Sequence, residues 1–549
     1  MVNNTRPDLP VLIVGAGPTG LTLAAELIRH GTTCRIVDKA DGPTLLSKAT
    51  TVQARSLEML EDMGIAHHAL SAGTKSHGVN IYHGTDRLLH VSYDDLESPF
   101  PYLLNIPQST LERVLEGLVT RLGLEVERQT ELVSFTQDDE GVIATLRHAD
   151  GHEEMVRAAW LVGCDGAHSV VRHALNIDFA GHSYSQWFGL ADVQLHWGLR
   201  HDELHGFVHP TGLFFAIPLP GENQYRVVME AEEPPVESEL TLADFQAALD
   251  QRGPGNATLS APGWITPFKV NARRAEKYRV GRAFIAGDAA HIHSPTGGLG
   301  LNTGMQDGYN LAWKLALVIR GLADPMLLDS YEAERTPVAD AVLRLAGQLT
   351  TMLTLTNPVS RQLRDHLMPV LSGMSAVQHQ IAVQDAQLSI SYSASPIVSE
   401  YHHERFGHLR FAGGPKAGDR APDAGPLQAA DGTTVQLYDL LRGTHHALLL
   451  FGGPEPKAAS WQSLVSIARA VRERHGELIR VYIIVDGASA PNELTGVDGV
   501  LLDTDAAAHH RYQAELPTLY LVRPDGYIGF RSRPADPTAL TSYLTRIFK

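Results

Sequence analysis

Two glycine-rich stretches carry residue types whose spacing could do chemistry. The first, GAGPTG, sets Gly15, Gly17 and Gly20 in the G-x-G-x-x-G spacing, with Pro18 and Thr19 between them. Such glycines allow a tight turn, close approach of a pyrophosphate and packing of helix on strand, and the helix start offers free N–H groups to phosphate oxygens. Asp38 ends the next apolar run, where a ribose hydroxyl needs an acceptor, and Lys39 follows it; both are candidate cofactor-binding residues. The second stretch, IAGDAAHIHSPTGGLGLNTG, places Gly287 and Asp288 after an apolar run, then Pro295, Gly298, Gly300, Leu301 and Asn302 ahead of a long helical pattern. Something must approach that backbone closely, because only small residues leave the room. His291 and His293 form an H-x-H, but no H-E-x-x-H or C-x-x-C accompanies them, so loop hydrogen bonding is expected and no metal.

The elements that must position these residues follow from the patterning. Residues 11–38 read strand, Gly-rich turn, helix, strand, and residues 143–165 read as a hairpin about Asp150-Gly151 that ends in an apolar strand. Between 180 and 275 short strands are punctuated by HPTG and PGEN, which marks an inserted sheet-based lobe; helical periodicity returns after 303 and runs to about 395. RFGHLRFAGGPKAGDRAPDAGP, residues 405–426, concentrates Gly, Pro and charge and reads as a linker or irregular start of a further module, which is α/β in order from 435 onward. A chain of 549 residues calls for about two to four hydrophobic cores. Its 45 Lys+Arg against 62 Asp+Glu, net charge -17, with no basic cluster, excludes nucleic acid as a partner. No uninterrupted apolar run of ~20 residues is present, so no membrane partner is expected. The two cysteines, Cys34 and Cys164, lie far apart in apolar runs, so neither a disulfide framework nor a zinc site is expected and a cytoplasmic setting fits.

CDGAHSVVR, residues 164–172, fits the pattern D-G-x-x-S-x-x-R, and ARSLEML at 54–60 and IPQSTLERVL at 106–115 complete an ordered set with the two glycine stretches. In these motifs the chain resembles the single-component FAD-dependent aromatic hydroxylases, the para-hydroxybenzoate hydroxylase superfamily, and within it the phenol and polyketide hydroxylase branch, over residues 11 to about 395. The resemblance implies an α/β fold with a Rossmann-like FAD-binding domain, a sheet-based substrate lobe and a C-terminal thioredoxin-like domain. It implies non-covalent FAD, with Asp288 on the ribitol or ribose side, the backbone of residues 295–302 facing the flavin ring, and Arg55 and Gln108 holding the cofactor. Asp165 is in part a structural residue of this site, and Lys48 stands where related enzymes have a basic residue near the isoalloxazine. Flavin reduction puts negative charge near the ring's N1 and O2, and a glycine-permitted loop at a helix start presents N–H donors to it. One dinucleotide fingerprint and no second leaves a nicotinamide cofactor no dinucleotide domain of its own, and the resemblance implies that NAD(P)H, as NADH or NADPH, binds transiently as reductant.

The reaction implied is hydroxylation of a phenolic or polyketide aromatic substrate by O2 and NAD(P)H through a C4a-hydroperoxide. The small aromatic substrate is expected in an apolar pocket between flavin and inserted sheet. Strand alternation puts Phe215 and Ile217 on one face of their strand and Tyr225, Val227 and Met229 on one face of the next, one of which should line the pocket. Tyr225 is the candidate for bonding a substrate hydroxyl, with Lys48 and Pro295 as the other catalytic-site candidates; Trp187, Phe207 and His209 are further substrate-binding candidates. The expected domains are FAD-binding at 1–75, 101–179 and 276–403, substrate lobe at 76–100 and 180–275, and thioredoxin-like at 404–549. In the last, Pro517 would be the cis-proline before a strand. Without cysteine that domain cannot exchange thiols, so packing, homodimer contacts or a spacer role is left, and truncation near Gly413 should spare the flavin spectrum. A flavin-dependent halogenase shares the FAD lobe but needs W-x-W-x-I-P where this chain reads Phe214-Phe215-Ala216-Ile217-Pro218. A non-catalytic FAD-binding protein is the other alternative.

Overall fold

The computed structural model describes residues 9–44, 49–231, 240–294, 297–353, 357–402, 413–429, 431–454 and 456–549. The protein is mixed α/β and divides into two compact units, Met1–Tyr309 with Arg335–Leu388, and Asn310–Glu334 with Ser389–Lys549.

In the first unit the strand Leu9–Val14 is apolar at consecutive positions and buried through Val11, Leu12 and Ile13, as a strand inside a parallel sheet must be. It pairs in parallel with Glu153–Gly163 on one side and Arg35–Val37 on the other, and Ala283–Ile285 runs parallel beyond Glu153–Gly163. Parallel order brings the residues that follow these strands, Gly15, Asp38, Cys164 and Ala286, to one end of the sheet, the end where open α/β sheets take ligands. The strand Val142–Arg147 joins antiparallel to Glu153–Gly163, with Gly151 in the turn at φ +83°.

A second, eight-stranded sheet in this unit takes Gly78–His83 and Asp86–Ser92 from one segment and Phe179–His196 through Thr258–Ala275 from another, with His291–Ile292 at its edge. Alternation divides its side chains. Phe207, Phe214, Tyr225, Val227 and Met229 form one core with Phe245 and Leu249 of the helix Leu242–Arg252. Phe188, Leu213, Phe215, Val228 and Phe268 cluster on the opposite face with Leu353 and Met368.

The second unit has its own eight-stranded sheet, centred on His446–Phe451, which runs parallel to Ile479–Asp486 and antiparallel to Thr518–Val522. One core joins Trp313, Leu317 and Leu327 to Leu448, Leu519 and Leu544, so the helical segment 310–334 is part of this unit. Its charged residues are buried with it. Glu334 accepts from Arg523 at 2.6 and 2.9 Å and from Lys314 at 2.7 Å, while Asp525 accepts from Arg523 and from Trp313. Burial is the largest influence on Lys314 and holds its ammonium down to about 8.

Three expectations are corrected or narrowed here. The unit does not begin at 404: Ser399–His402 already pairs in parallel with Ile528–Arg533, because the edge of that sheet needs a partner strand. The stretch read as a linker or an irregular module start is narrowed to the second: its described part is packed, with Ala417, Ala421 and Ala424 buried in a second core. Pro517 follows a trans bond, the cis bonds among the described residues being Gly425–Pro426 and Arg533–Pro534; the Pro517 carbonyl accepts the Ala535 N–H at 2.8 Å.

Candidate active site

The fingerprint turn is tight where its glycines require it. Gly15 has φ +101°, and a Cβ there would lie 2.3 Å from the Cys164 carbonyl oxygen. A Cβ on Gly20 would lie 1.9 Å from the Gly15 carbonyl oxygen, whereas one on Gly17 would meet nothing within 4 Å. Space is therefore open in front of the helix Pro18–Arg29, where a pyrophosphate would sit. Thr19 fills the gap left by two other glycines: its Oγ1 would be 2.4 Å from a Cβ on Gly287 and 2.6 Å from one on Gly304. Asp38 accepts the Ala16 N–H at 2.6 Å and the Ala40 N–H at 2.8 Å, which fixes its carboxylate at the strand end beside that space; Lys39 is exposed.

Asp165, Ser169 and Arg172 of the 164–172 motif each have identifiable work. Asp165 accepts the Val171 N–H through Oδ2 at 3.2 Å, while its buried Oδ1 has no hydrogen-bond partner. Ser169 caps the short helix by accepting the Arg172 N–H at 2.9 Å. The Arg172 guanidinium donates to the Ala289 carbonyl at 3.0 Å and the Ala167 carbonyl at 2.8 Å, tying this motif to the Gly287–Ala289 turn.

That turn is held from beneath by a carboxylate the sequence reading missed. Asp307, fully buried, accepts the Gly287 N–H at 3.0 Å, His291 Nε2 at 2.8 Å and Arg335 Nε at 2.6 Å. Burial alone would raise its acidity constant's exponent, but Arg335 and then His291 outweigh burial and keep the carboxyl below its ordinary range. Gly287 itself has φ +62°, and Asp288 beside it is exposed at the strand end. His293 turns Nδ1 to the Ser294 carbonyl at 2.7 Å, and burial holds its imidazole down to about 4. Among the described residues no group of three or more His, Cys, Asp or Glu could hold a metal.

The loop before the helix Leu299–Ile319 is clamped to the strand Thr51–Val52. The Asn302 side chain accepts the Gln53 N–H at 2.9 Å and donates to the Thr51 carbonyl at 2.9 Å and the Gly298 carbonyl at 2.7 Å; Gln53 Nε2 donates to the Gly297 carbonyl at 2.9 Å. Gly298, at φ +65°, would bring a Cβ to 3.0 Å from Thr51 Cβ, and Gly300 packs on His293. Leu301 is half-buried. Asn302, expected as a cofactor contact, thus spends its side chain on holding the loop. Arg55 is buried and pairs with Glu58 at 2.9 Å, and Gln108 donates to Glu112 at 2.9 Å. Lys48 and Pro295 lie outside the described residues.

On the inserted sheet the expected substrate contacts separate. Tyr225 is 1% exposed on the face covered by Leu242–Arg252, and its hydroxyl oxygen accepts Trp197 Nε1 at 3.1 Å, so it is corrected from a substrate-bonding residue to a core residue. Phe207 is in the same core, and His209 bonds Thr211 at 2.9 Å beneath Arg252 of that helix. Trp187 lies two residues from Gly189, whose face meets Phe245, so alternation assigns it to the same side. Phe215 and Ile217 stand on the opposite face, directly across from Val228 and Arg226. Arg226, missed in the sequence, is 1% exposed; it forks onto Asp192 at 2.7 and 2.8 Å and reaches Thr50 Oγ1 at 2.8 Å, joining this face to the segment that leads into Thr51–Val52.

Comparison with known proteins decides what this arrangement is. The FAD binding domain family matches residues 8–346, and the aromatic-ring hydroxylase C-terminal family matches residues 414–549. The chain belongs to the FAD-dependent aromatic-ring hydroxylases. This hydroxylase is 35% identical over 468 residues to pentachlorophenol 4-monooxygenase of Sphingobium chlorophenolicum, covering 84% of this chain and 83% of that one. An anhydrotetracycline hydroxylase from Streptomyces rimosus is 31% identical in structure-based alignment with TM-score 0.73, covering 98% of this chain and 99% of that one. Aklavinone-11 hydroxylase, solved with FAD and aklavinone, is 26% identical with TM-score 0.76 and 99% coverage of both chains. The hydroxylase offers FAD what it needs: open space before a helix start at Gly17, an unpartnered buried Asp165 oxygen and an exposed Asp288 at the sheet's ligand end. Among the described residues no helix is long and apolar enough to cross a membrane.

Proposed function

We propose that this enzyme hydroxylates a phenolic or polyketide ring, using NAD(P)H and O2, with FAD held at the loop Gly297–Asn302. The observation that carries the reading is the Asn302 clamp, which holds a glycine-rich loop at the start of a 21-residue helix. Bound FAD supplies the redox and oxygen-transfer chemistry. The residues then divide the remaining work. Gly15, Gly17 and Gly20 admit the pyrophosphate, Asp38 takes a ribose hydroxyl, and Asp288 and Asp165 face the ribityl and phosphate side. The helix start at Leu299 presents positive dipole to the charge that reduction creates. Arg226, through Thr50, fixes the sheet face carrying Phe215 and Ile217 with respect to Thr51–Val52, and the half-buried Phe215, Val228, Phe268 and Met368 supply apolar wall that excludes water from the ring. In this reading the first sheet is Rossmann-like and the C-terminal sheet thioredoxin-like, the latter supported by its parallel-then-antiparallel order around His446–Phe451. The test is a phenol panel with NAD(P)H consumption followed in parallel with product: the right ring accelerates consumption and emerges with one more oxygen.

A further inference from the structure

Asp385, the last residue of the helix Ser375–Asp385, is a titratable group that this division of work leaves unused. Its Oδ2 accepts the Tyr93 hydroxyl at 2.5 Å, and Tyr93, 1% exposed, directly follows the edge strand Asp86–Ser92. Its other oxygen lies against the glycine loop, for a Cβ on Gly297 would be 3.5 Å from Oδ1. The residues after it are strapped to the elements around the same loop. Ala386 gives its carbonyl to the Arg55 N–H at 3.2 Å, and the Gln387 side chain bonds Gln306 at 2.7 Å and Thr303 at 3.1 Å on the helix Leu299–Ile319.

Among the described residues charge near this carboxyl is sparse. Among the described residues Tyr93 is the titratable side chain against it; Gly297 and Leu299 bring none from the loop, the Arg55 guanidinium is paired with Glu58, and His293 lies on the Gly300 side. Burial dominates and the Tyr93 hydrogen bond opposes it, leaving the carboxyl pushed up to about 6. A carboxylate so placed changes protonation when a like charge arrives beside it, because like charge favours its neutral form.

We propose that Asp385 is a proton-handling residue of this site: it takes up one solvent proton when hydride transfer from NAD(P)H places negative charge at the loop Gly297–Asn302, and returns it when that charge is discharged. This rests on the reading that FAD sits at that loop. The step balances, since the hydride carries the two electrons, the O–H bond formed on Asp385 uses a proton from water, and no further reactant is required.

The test is the midpoint potential of FAD bound to the full chain, measured by dye equilibration across about pH 5 to 8, for the wild type, Asp385→Asn and Tyr93→Phe. For a two-electron couple each proton taken up adds about 30 mV per pH unit. Below about 6 Asp385 already carries its proton before reduction, so wild type and Asp385→Asn run parallel there; above it the wild-type potential falls more steeply by that one-proton slope. Tyr93→Phe removes the bond that lowers the carboxyl and moves the break to higher pH. Parallel slopes for wild type and Asp385→Asn throughout overturn the proposal. If Asp385→Asn does not retain FAD, Tyr93→Phe decides, and a break that stays in place overturns it. A wild-type chain that binds no FAD overturns instead the reading of the site, which keeps the two failures apart.

Discussion

Asn302 and Gln53 hold each other from 249 positions apart: the Gln53 N–H donates to Asn302 Oδ1 at 2.9 Å, and one turn of chain away Gln53 Nε2 reaches the Gly297 carbonyl. The pair fixes the loop against Thr51–Val52 before any cofactor arrives. Asn302→Ala removes three hydrogen bonds, two of them fully buried, at about 1 kcal/mol each. FAD affinity is expected to fall on the order of a hundredfold, read as a weaker dissociation constant in flavin fluorescence titration.

Asp307→Asn leaves Arg335 and His291 without their buried carboxylate, a loss of about 3–5 kcal/mol. The folded-state carboxyl sits below its ordinary value, so the stability it contributes is complete above the unfolded value and is lost as pH falls through the folded one. Thermal melts should therefore show a large deficit for the variant at neutral pH that shrinks toward strongly acidic pH. A constant deficit would contradict the charge account.

Tyr225→Phe is expected to leave the Michaelis constant for the ring substrate within about twofold and to cost about 1 kcal/mol of stability, since its hydroxyl serves Trp197 inside the lobe. Phe215→Ala, on the opposite face, is expected to raise that constant and uncouple NAD(P)H oxidation from product. Steady-state kinetics with peroxide detection distinguish the two.

Truncation near Gly413, which the sequence suggested would spare the flavin spectrum, is now expected to unfold the chain's second unit. Glu334 would lose Arg523, Asn310 and Trp313 would lose Asp525, and Trp313, Leu317 and Leu327 would lose their core. Expression of the truncated chain should yield insoluble or FAD-free protein; a soluble, yellow product would refute the expectation.

The parts legible in sequence were those set by local pattern. The fingerprint glycines, the Gly287–Asp288 turn and the strand–turn–helix order at 11–38 follow from steric needs that a few adjacent residues declare. The face of a strand was legible but not its direction: alternation separated Phe215 from Tyr225, yet which set meets the helix Leu242–Arg252 depends on distant packing. Asp307, Arg226 and Asp385 were not legible, because each gains its meaning from partners remote in the chain, His291 and Arg335, Asp192 and Thr50, Tyr93 and Gly297. The start of the second unit was missed for the same reason, as the segment 310–334 declares itself helical without declaring which core it joins.

The central claim, oxygen transfer to an aromatic ring at a flavin held by the Asn302 loop, is tested most directly with isotopically labelled O2. With a phenol or aromatic polyketide that stimulates NAD(P)H oxidation, mass spectrometry should find one labelled oxygen in the product, and Asn302→Ala should lose both FAD and product. Turnover that releases only peroxide for every stimulating ligand, or a product whose new oxygen comes from water, would contradict the account.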